Sequence, residues 1–205
     1  MKKLLIALLL LILPFSLFAS DIDYTKEPFK EAEDYVFSYF DLTMGYGYTH
    51  FKYNDKPYNV NSINFGTGFG FVDYKAALKV GFGMGVRMDS LIDFWSNNTT
   101  INFLIGPKFY FPLNDYMNFS FIVGPSFNAT GKSTNTFSIA PATDLALEFY
   151  TSSDDFVSFK VGTVLTGQIG IGEELLGLSV SPYVSMSIRS GDLSFLLLPL
   201  IFFND

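Results

Sequence analysis

Apolar and polar positions alternate along this chain from Tyr35 almost to its end. The stretch KVGFGMGVRM, residues 79–88, shows the pattern clearly, because glycine occupies one side and Val, Phe or Met the other. Eight such segments follow one another, each of roughly 12 to 15 residues, which is long for a strand of a globular protein. A period of two is typical of β-strands, and no long helical period follows the first residues. The chain is therefore predicted to be all-β.

Turn signals separate the segments. VDYK, PLND, TSSDD and RSGD predict turns at one end of the sheet, and KYNDKPYN, DSLIDFWSNN, ATGKSTN and GEE predict loops at the other. Each connection suits an antiparallel hairpin, so an antiparallel up-and-down β-barrel of about eight strands is predicted. A ninth apolar run, LSFLLLPLIFF, leaves ten strands as the alternative. A two-residue loop at Asp73–Tyr74 would pair Gly66 with Gly81.

Alternation alone does not say which face is inside. A soluble lipocalin-like barrel would turn its apolar face inward, whereas a membrane barrel turns that face to lipid. The polar face of this chain carries mostly Gly, Ser and Asn, with isolated charges. Small side chains suit the narrow interior of a strongly curved sheet. The glycine side is therefore predicted to face a crowded lumen, and the apolar side to face lipid.

The ends of the chain and its composition refine this prediction. The first twenty residues, MKKLLIALLLLILPFSLFAS, have the layout of a secretory signal peptide. The chain is therefore predicted to consist of a signal peptide at 1–20, a polar segment at 21–34 and a barrel domain at 35–205. There is no cysteine, which excludes disulfides and thiolate metal sites. The net charge is −7, and a basic nucleic-acid footprint is missing. No nucleic-acid partner is predicted.

The signal peptide, the glycine-alternating strands and turns such as SGD carry a resemblance to a known group. From Tyr35 to about Arg189 the chain resembles the small outer-membrane β-barrels of bacteria, such as the OmpA membrane domain, OmpX and OmpW. The resemblance implies a transmembrane barrel in the bacterial outer membrane, in contact with outer-membrane lipids. It also implies that periplasmic chaperones and the barrel assembly machinery act during biogenesis.

Charged side chains on the polar face form the candidate site. They are Asp41, Lys79, Arg87, Lys108, Asp144, Glu148, Lys160 and Arg189. Lys160 is predicted to lie diagonal to Glu148 and Asp144. Buried charges must be paired, so an ion-pair network that largely plugs the lumen is predicted, while gating of a narrow pore is the alternative.

The outer loops are predicted near residues 52–57, 89–97, 129–135 and 171–175. The second is apolar and offers a contact surface through Leu91, Ile92, Phe94 and Trp95. No catalytic residue, cofactor or metal site is predicted, so the protein is not expected to be an enzyme. The predicted function is structural or surface-binding. A narrow passive pore for small solutes and a soluble periplasmic lipocalin-like carrier of hydrophobic ligands remain alternatives.

Overall fold

The computed structural model describes residues 34–53, 55–93, 99–114, 116–131, 136–150, 157–170 and 175–190. They form eight long strands: β1 Tyr35–Tyr53, β2 Lys56–Lys75, β3 Val80–Asp93, β4 Thr99–Asn114, β5 Met117–Gly131, β6 Thr136–Phe149, β7 Val157–Ile169 and β8 Leu175–Ser190. The predicted signal peptide, nearly all of the polar segment and the ninth apolar run lie outside the described residues.

The eight strands close into one antiparallel barrel in chain order, with β8 paired to β1. This confirms the predicted fold class with eight strands. Ladder partners followed from Tyr35 through all eight strands return to β1 at Gly45, ten residues further on. This stagger tilts the strands, as closure of a barrel requires.

The first turn differs from its prediction. Tyr74 pairs with Gly81, and Gly66 pairs with Asp89 instead of Gly81. The turn is a single 3₁₀ turn at Ala76–Leu78, closed by Lys79 in the left-handed region (φ 51°). The strand runs on past the predicted loop because Tyr74 is buried against aromatic neighbours at this rim. The shift covers an even number of residues, so the side chains keep their predicted faces.

An ion pair holds the same end of the barrel. Lys75 Nζ lies 2.9 Å from Asp73 Oδ1 and 3.3 Å from Asp34 Oδ2. The backbone N–H of Ala76 donates a hydrogen bond to Asp34, which, together with Lys75, lowers the pKa of this carboxyl group. These contacts attach the chain just before β1 to the first turn.

The two faces of the sheet differ as predicted. Large apolar side chains lie exposed on the outer surface, among them Phe82 at 46%, Val123 at 43% and Val161 at 54% exposure. Ser, Asn, Thr and charged side chains are buried inside. No helix in the described part of the chain is long and apolar enough to cross a membrane, a result that does not bear on crossing by strands.

Glycine lines the lumen where other side chains need its space. A Cβ atom at Gly85 would lie 2.5 Å from Ile122 Cδ1 and 2.7 Å from the hydroxyl of Tyr39, closer than atoms pack. A Cβ at Gly81 would lie 2.4 Å from Val72 Cγ1. Gly81 and Gly85 of β3 therefore make room for side chains of other strands.

Four prolines face outward at interruptions of the ladders. The β4–β5 ladder is interrupted at Pro107 and Pro125. The β6–β7 ladder ends next to Pro141, and the β1–β8 ladder has a gap at Pro182. Proline has no N–H to donate, so it is tolerated where strands bend and pairing lapses.

Candidate functional site

The structure places seven of the eight predicted charged residues inside the barrel. Asp41, Arg87, Lys108, Asp144, Glu148 and Lys160 are buried, and Arg189 is nearly so. Lys79 is the exception. It lies exposed in the first turn, because this turn sits at residues 76–79 and not at Asp73–Tyr74.

Arg87 on β3 forms the centre of the first cluster. Its Nε and Nη2 donate to the two carboxylate oxygens of Asp89 at 2.7 and 2.9 Å, and its Nη1 donates to Asp144 Oδ2 at 3.3 Å. The guanidinium lies 3.9 Å from the ring centroid of Tyr183, whose hydroxyl donates to Asp144 Oδ1 at 2.6 Å. Strands β3, β6 and β8 are thus joined across the lumen.

Lys160 on β7 forms the centre of the second cluster. Its Nζ donates to both carboxylate oxygens of Asp41, at 2.7 and 2.9 Å, and lies 3.9 Å from Glu148 Oε1. Glu148 also contacts Arg189 Nη2 at 3.2 Å and accepts a hydrogen bond from Ser158. These contacts link β1, β6, β7 and β8.

Aromatic rings cover the cations of this cluster. Lys160 Nζ lies 4.7 Å from the ring centroid of Tyr39, and Lys108 Nζ lies 3.9 Å from the same centroid. Arg189 lies 4.2 Å from the ring of Tyr150 and 4.5 Å from that of Phe37. Cations over ring faces are stabilised electrostatically, more strongly when water is excluded.

Several members of these clusters were missed in the sequence, among them Asp89, Tyr39 and Tyr183. Asp89 was assigned to a loop, but β3 continues to Asp93. Tyr39 and Tyr183 lie on the polar register, where only charged side chains were predicted to form the site. The signal that would have found them is an aromatic ring on a face otherwise made of small residues.

The predicted apolar loop is partly strand. Leu91 and Ile92 belong to β3, with Leu91 buried in the lumen and Ile92 exposed on the outside at 43%. Gly47 on β1 leaves the space that Leu91 fills. Neither residue is therefore part of a loop surface. Phe94 and Trp95 lie outside the described residues.

The chemistry of this lumen is electrostatic. The buried carboxylates of Asp41, Asp89, Asp144 and Glu148 each contact a cation. The described residues contain no group of three or more His, Asp or Glu side chains arranged to hold a metal ion. The single histidine, His50, is exposed and shares a 2.7 Å hydrogen bond with Asn59. The interior ions therefore hold one another across the lumen.

No protein-family model and no curated protein sequence matches the chain. Among solved structures it is similar to Neisserial surface protein A, with 8% identity and a TM-score of 0.55, covering 73% of this chain and 96% of that one. It is also similar to Ail, the attachment invasion locus protein of Yersinia pestis, solved with the heparin analogue sucrose octasulfate (12% identity, TM-score 0.46, covering 74% and 99%). The N-terminal β-barrel domain of Pseudomonas aeruginosa OprF gives 10% identity and a TM-score of 0.43, covering 76% and 100%.

These comparisons define a class of fold. The chain is a small, closed, eight-stranded antiparallel barrel. Neisserial surface protein A shares this overall fold, so the predicted likeness to the small outer-membrane barrels is confirmed at the level of the fold.

Proposed function

We propose that this protein is a bacterial outer-membrane β-barrel whose lumen is closed by its own side chains, with a structural or surface-binding role. One observation carries the proposal: the apolar side chains lie on the outside of the closed barrel, and the paired charges lie inside it. A barrel leaves no unpaired sheet edge, and an apolar outer band matches the hydrocarbon of a bilayer.

The exterior supports a place in a membrane. Its exposed apolar side chains recur on the outward face of all eight strands, as Leu42, Phe65, Phe82, Ile101, Val123, Ile139, Val161 and Leu178 illustrate. Soluble proteins seldom expose continuous apolar surfaces of this kind. Outer-membrane lipids are therefore the partner proposed for this surface, and the predicted signal peptide would direct export.

The interior supports closure. Six of the eight strands supply the ions or rings of the two clusters, and these side chains bond to one another across the lumen. An eight-stranded barrel is narrow enough for side chains to fill its interior. The same interior speaks against the carrier alternative, because a hydrophobic ligand would need an apolar cavity where buried charges lie.

Most charged side chains in the lumen of the described chain are paired, which supports a role other than catalysis. Catalysis needs reactive groups that are free to meet a substrate, and the interior carboxylates and most interior cations are engaged with each other. This arrangement favours a structural role, or binding through the loops at the outer ends of the strands. Assembly would use the periplasmic chaperones and the barrel assembly machinery.

Fractionation tests the location. The full-length protein, expressed in a Gram-negative host, is expected in the outer-membrane fraction and in detergent extracts. Unheated samples should migrate differently from boiled samples on a gel, because the folded barrel resists the detergent. Recovery as a soluble periplasmic protein without detergent would overturn the membrane assignment.

Planar-bilayer recordings test the closure separately. The wild-type protein is expected to pass little current, and Asp144→Ala or Lys160→Ala is expected to raise it by removing part of a cluster. Lys79→Ala, in the exposed first turn, is the matched control and should leave the current unchanged. A large wild-type current would favour the passive pore, and unchanged currents in both lumen variants would count against these ions as the plug.

A further inference from the structure

The outer face of the barrel carries an apolar groove near the middle of β5 and β6. Its volume is about 410 Å³, which is within the range of sites that hold small molecules. The six residues that line it are apolar or glycine, so the groove offers an occupant packing contacts and no charged or polar side chain. They are Val123, Gly124, Pro125, Ile139, Ala140 and Pro141.

Two facing prolines create this groove. Pro125 and Pro141 are ladder partners, and both are exposed on the outer face. The next outward pair along the two strands is Phe127 opposite Ile139, whose larger side chains project from the sheet. A proline ring is closed back onto its own backbone and reaches less far outward. The groove is therefore a depression in an outer surface that is otherwise covered by bulky side chains.

The surroundings of the groove favour a hydrocarbon occupant. Thr143, the ladder partner of Val123, brings a hydroxyl beside the groove, but this hydroxyl already donates to the carbonyl of Ile122 at 3.0 Å. A polar headgroup placed in the groove would leave its own hydrogen-bonding groups unpaired. The position near the middle of both strands also corresponds to the middle of the apolar band, which in a bilayer is the hydrocarbon core.

We propose that this groove binds an acyl chain of a membrane lipid. The inference rests on the proposed place of the barrel in a membrane, and adds a defined site on its surface. An empty depression would deprive its walls of dispersion contacts, and the hydrocarbon core holds no water to fill it. Association inside a bilayer depends on such packing, because hydrocarbon surrounds the protein everywhere. A flexible chain can follow the groove, whereas a second copy would present a convex face.

Photolabelling in vesicles tests the site. The full-length folded protein is placed in phosphatidylcholine vesicles that contain a phosphatidylcholine with a diazirine near the end of one acyl chain. After illumination, the peptides that carry the lipid are quantified by mass spectrometry. Labelling of residues 123–125 and 139–141 is expected to exceed labelling of Phe65 and Val161, which are exposed on the outer face near the middle of β2 and β7.

Substitutions that fill the groove provide the comparison. Pro141→Leu places a larger side chain in the groove and supplies the N–H that proline lacks. Val123→Phe fills the groove from the other strand, and serves if Pro141→Leu does not fold. Pro182→Leu is the matched control, because it makes the same exchange at an outward proline that does not line the groove. Both filling variants should lose the excess labelling, and Pro182→Leu should keep it.

The outcomes separate this site from the membrane assignment. Equal labelling of the groove and of Phe65 and Val161 would overturn the groove as a site and leave the membrane barrel standing. Equal excess labelling in the wild type and in both filling variants would do the same. A protein that stays soluble and does not enter vesicles would overturn the membrane assignment and the lipid site together.

Native mass spectrometry of the protein released from phosphatidylcholine nanodiscs tests the occupant. The wild type and Pro182→Leu are expected to retain one phospholipid under activation that strips all lipid from Pro141→Leu and Val123→Phe. The same retention in all four proteins would overturn the site. A wild-type dimer that carries no lipid, and that becomes a monomer in Pro141→Leu, would assign the groove to a second copy and overturn the lipid as its occupant.

Discussion

Replacement of Arg87 by Met tests the physical argument for the interior. Arg87 is 2% exposed and donates three hydrogen bonds to the carboxylates of Asp89 and Asp144. Met fills a similar length without donors, so the variant leaves two carboxylates buried with their cation gone. Removing one partner of a buried ion pair costs about 3–5 kcal/mol, chiefly because the remaining charge is uncompensated. We expect Arg87→Met to lower the free energy of unfolding by about this amount.

The measurement is urea unfolding of the barrel in phospholipid vesicles, with the folded fraction taken from gel mobility without heating. Lys79→Met is the control, and it should change the free energy of unfolding by less than about 0.5 kcal/mol because the side chain is exposed. The triple variant Arg87→Met, Asp89→Asn and Asp144→Asn removes both carboxylates, and should recover at least half of the loss. If Arg87→Met costs under about 1 kcal/mol, less than one hydrogen bond to a charged group, the lumen is hydrated and not closed.

Three further substitutions probe other parts of the barrel. Gly85→Leu places a side chain where two others already lie, and should lower the free energy of unfolding by about 1–3 kcal/mol or more in the same assay. Asn64 is fully buried with both amide atoms unpartnered in the described structure, so Asn64→Leu should be neutral or stabilising by about 1–3 kcal/mol, whereas Asn128→Leu loses bonds to Ser138 and Gly167 and should destabilise. Phe82→Asp puts a charge on the outer face and should reduce the folded fraction in vesicles; a variant as stable as wild type would contradict a lipid-facing position.

The sequence pattern predicted the fold because alternation is a property of each strand by itself. Eight stretches with period two, separated by short turns, leave little choice other than an antiparallel sheet, and small residues on one face require that face to be inside. Turn positions were harder to predict. Asp73 and Tyr74 looked like a two-residue loop, but burial of Tyr74 with Phe37 and Tyr110 extends β2 to Lys75. Such long-range burial is not visible in a local pattern.

The sequence predicted which residues belong to the candidate site better than it predicted the contacts between them. Side chains alternate between the two faces of a strand, so the position of each charged residue along its strand predicts its face. This alternation placed Arg87, Asp144 and Lys160 inside. Which ion meets which depends on the stagger of the closed barrel, a quantity fixed by all eight registers together. Lys160 was predicted to lie diagonal to Glu148 and Asp144, but Glu148 lies directly opposite it, with Oε1 3.9 Å from Lys160 Nζ. The shortest ion pair of Lys160, at 2.7 Å, is with Asp41, across the seam where β8 returns to β1.

The glycines and the charges of this lumen are parts of one arrangement. Gly45 and Gly162 lie where any side chain would collide with Tyr183, and this ring covers the guanidinium of Arg87. Gly85 lies against the hydroxyl of Tyr39, and the ammonium groups of Lys108 and Lys160 lie over the ring of this tyrosine. A narrow barrel holds large rings only where neighbouring side chains are missing, and these rings cover cations of the lumen. Gly45, Gly85 and Gly162 therefore leave space that Tyr39 and Tyr183 occupy, and these two tyrosines in turn cover Arg87, Lys108 and Lys160.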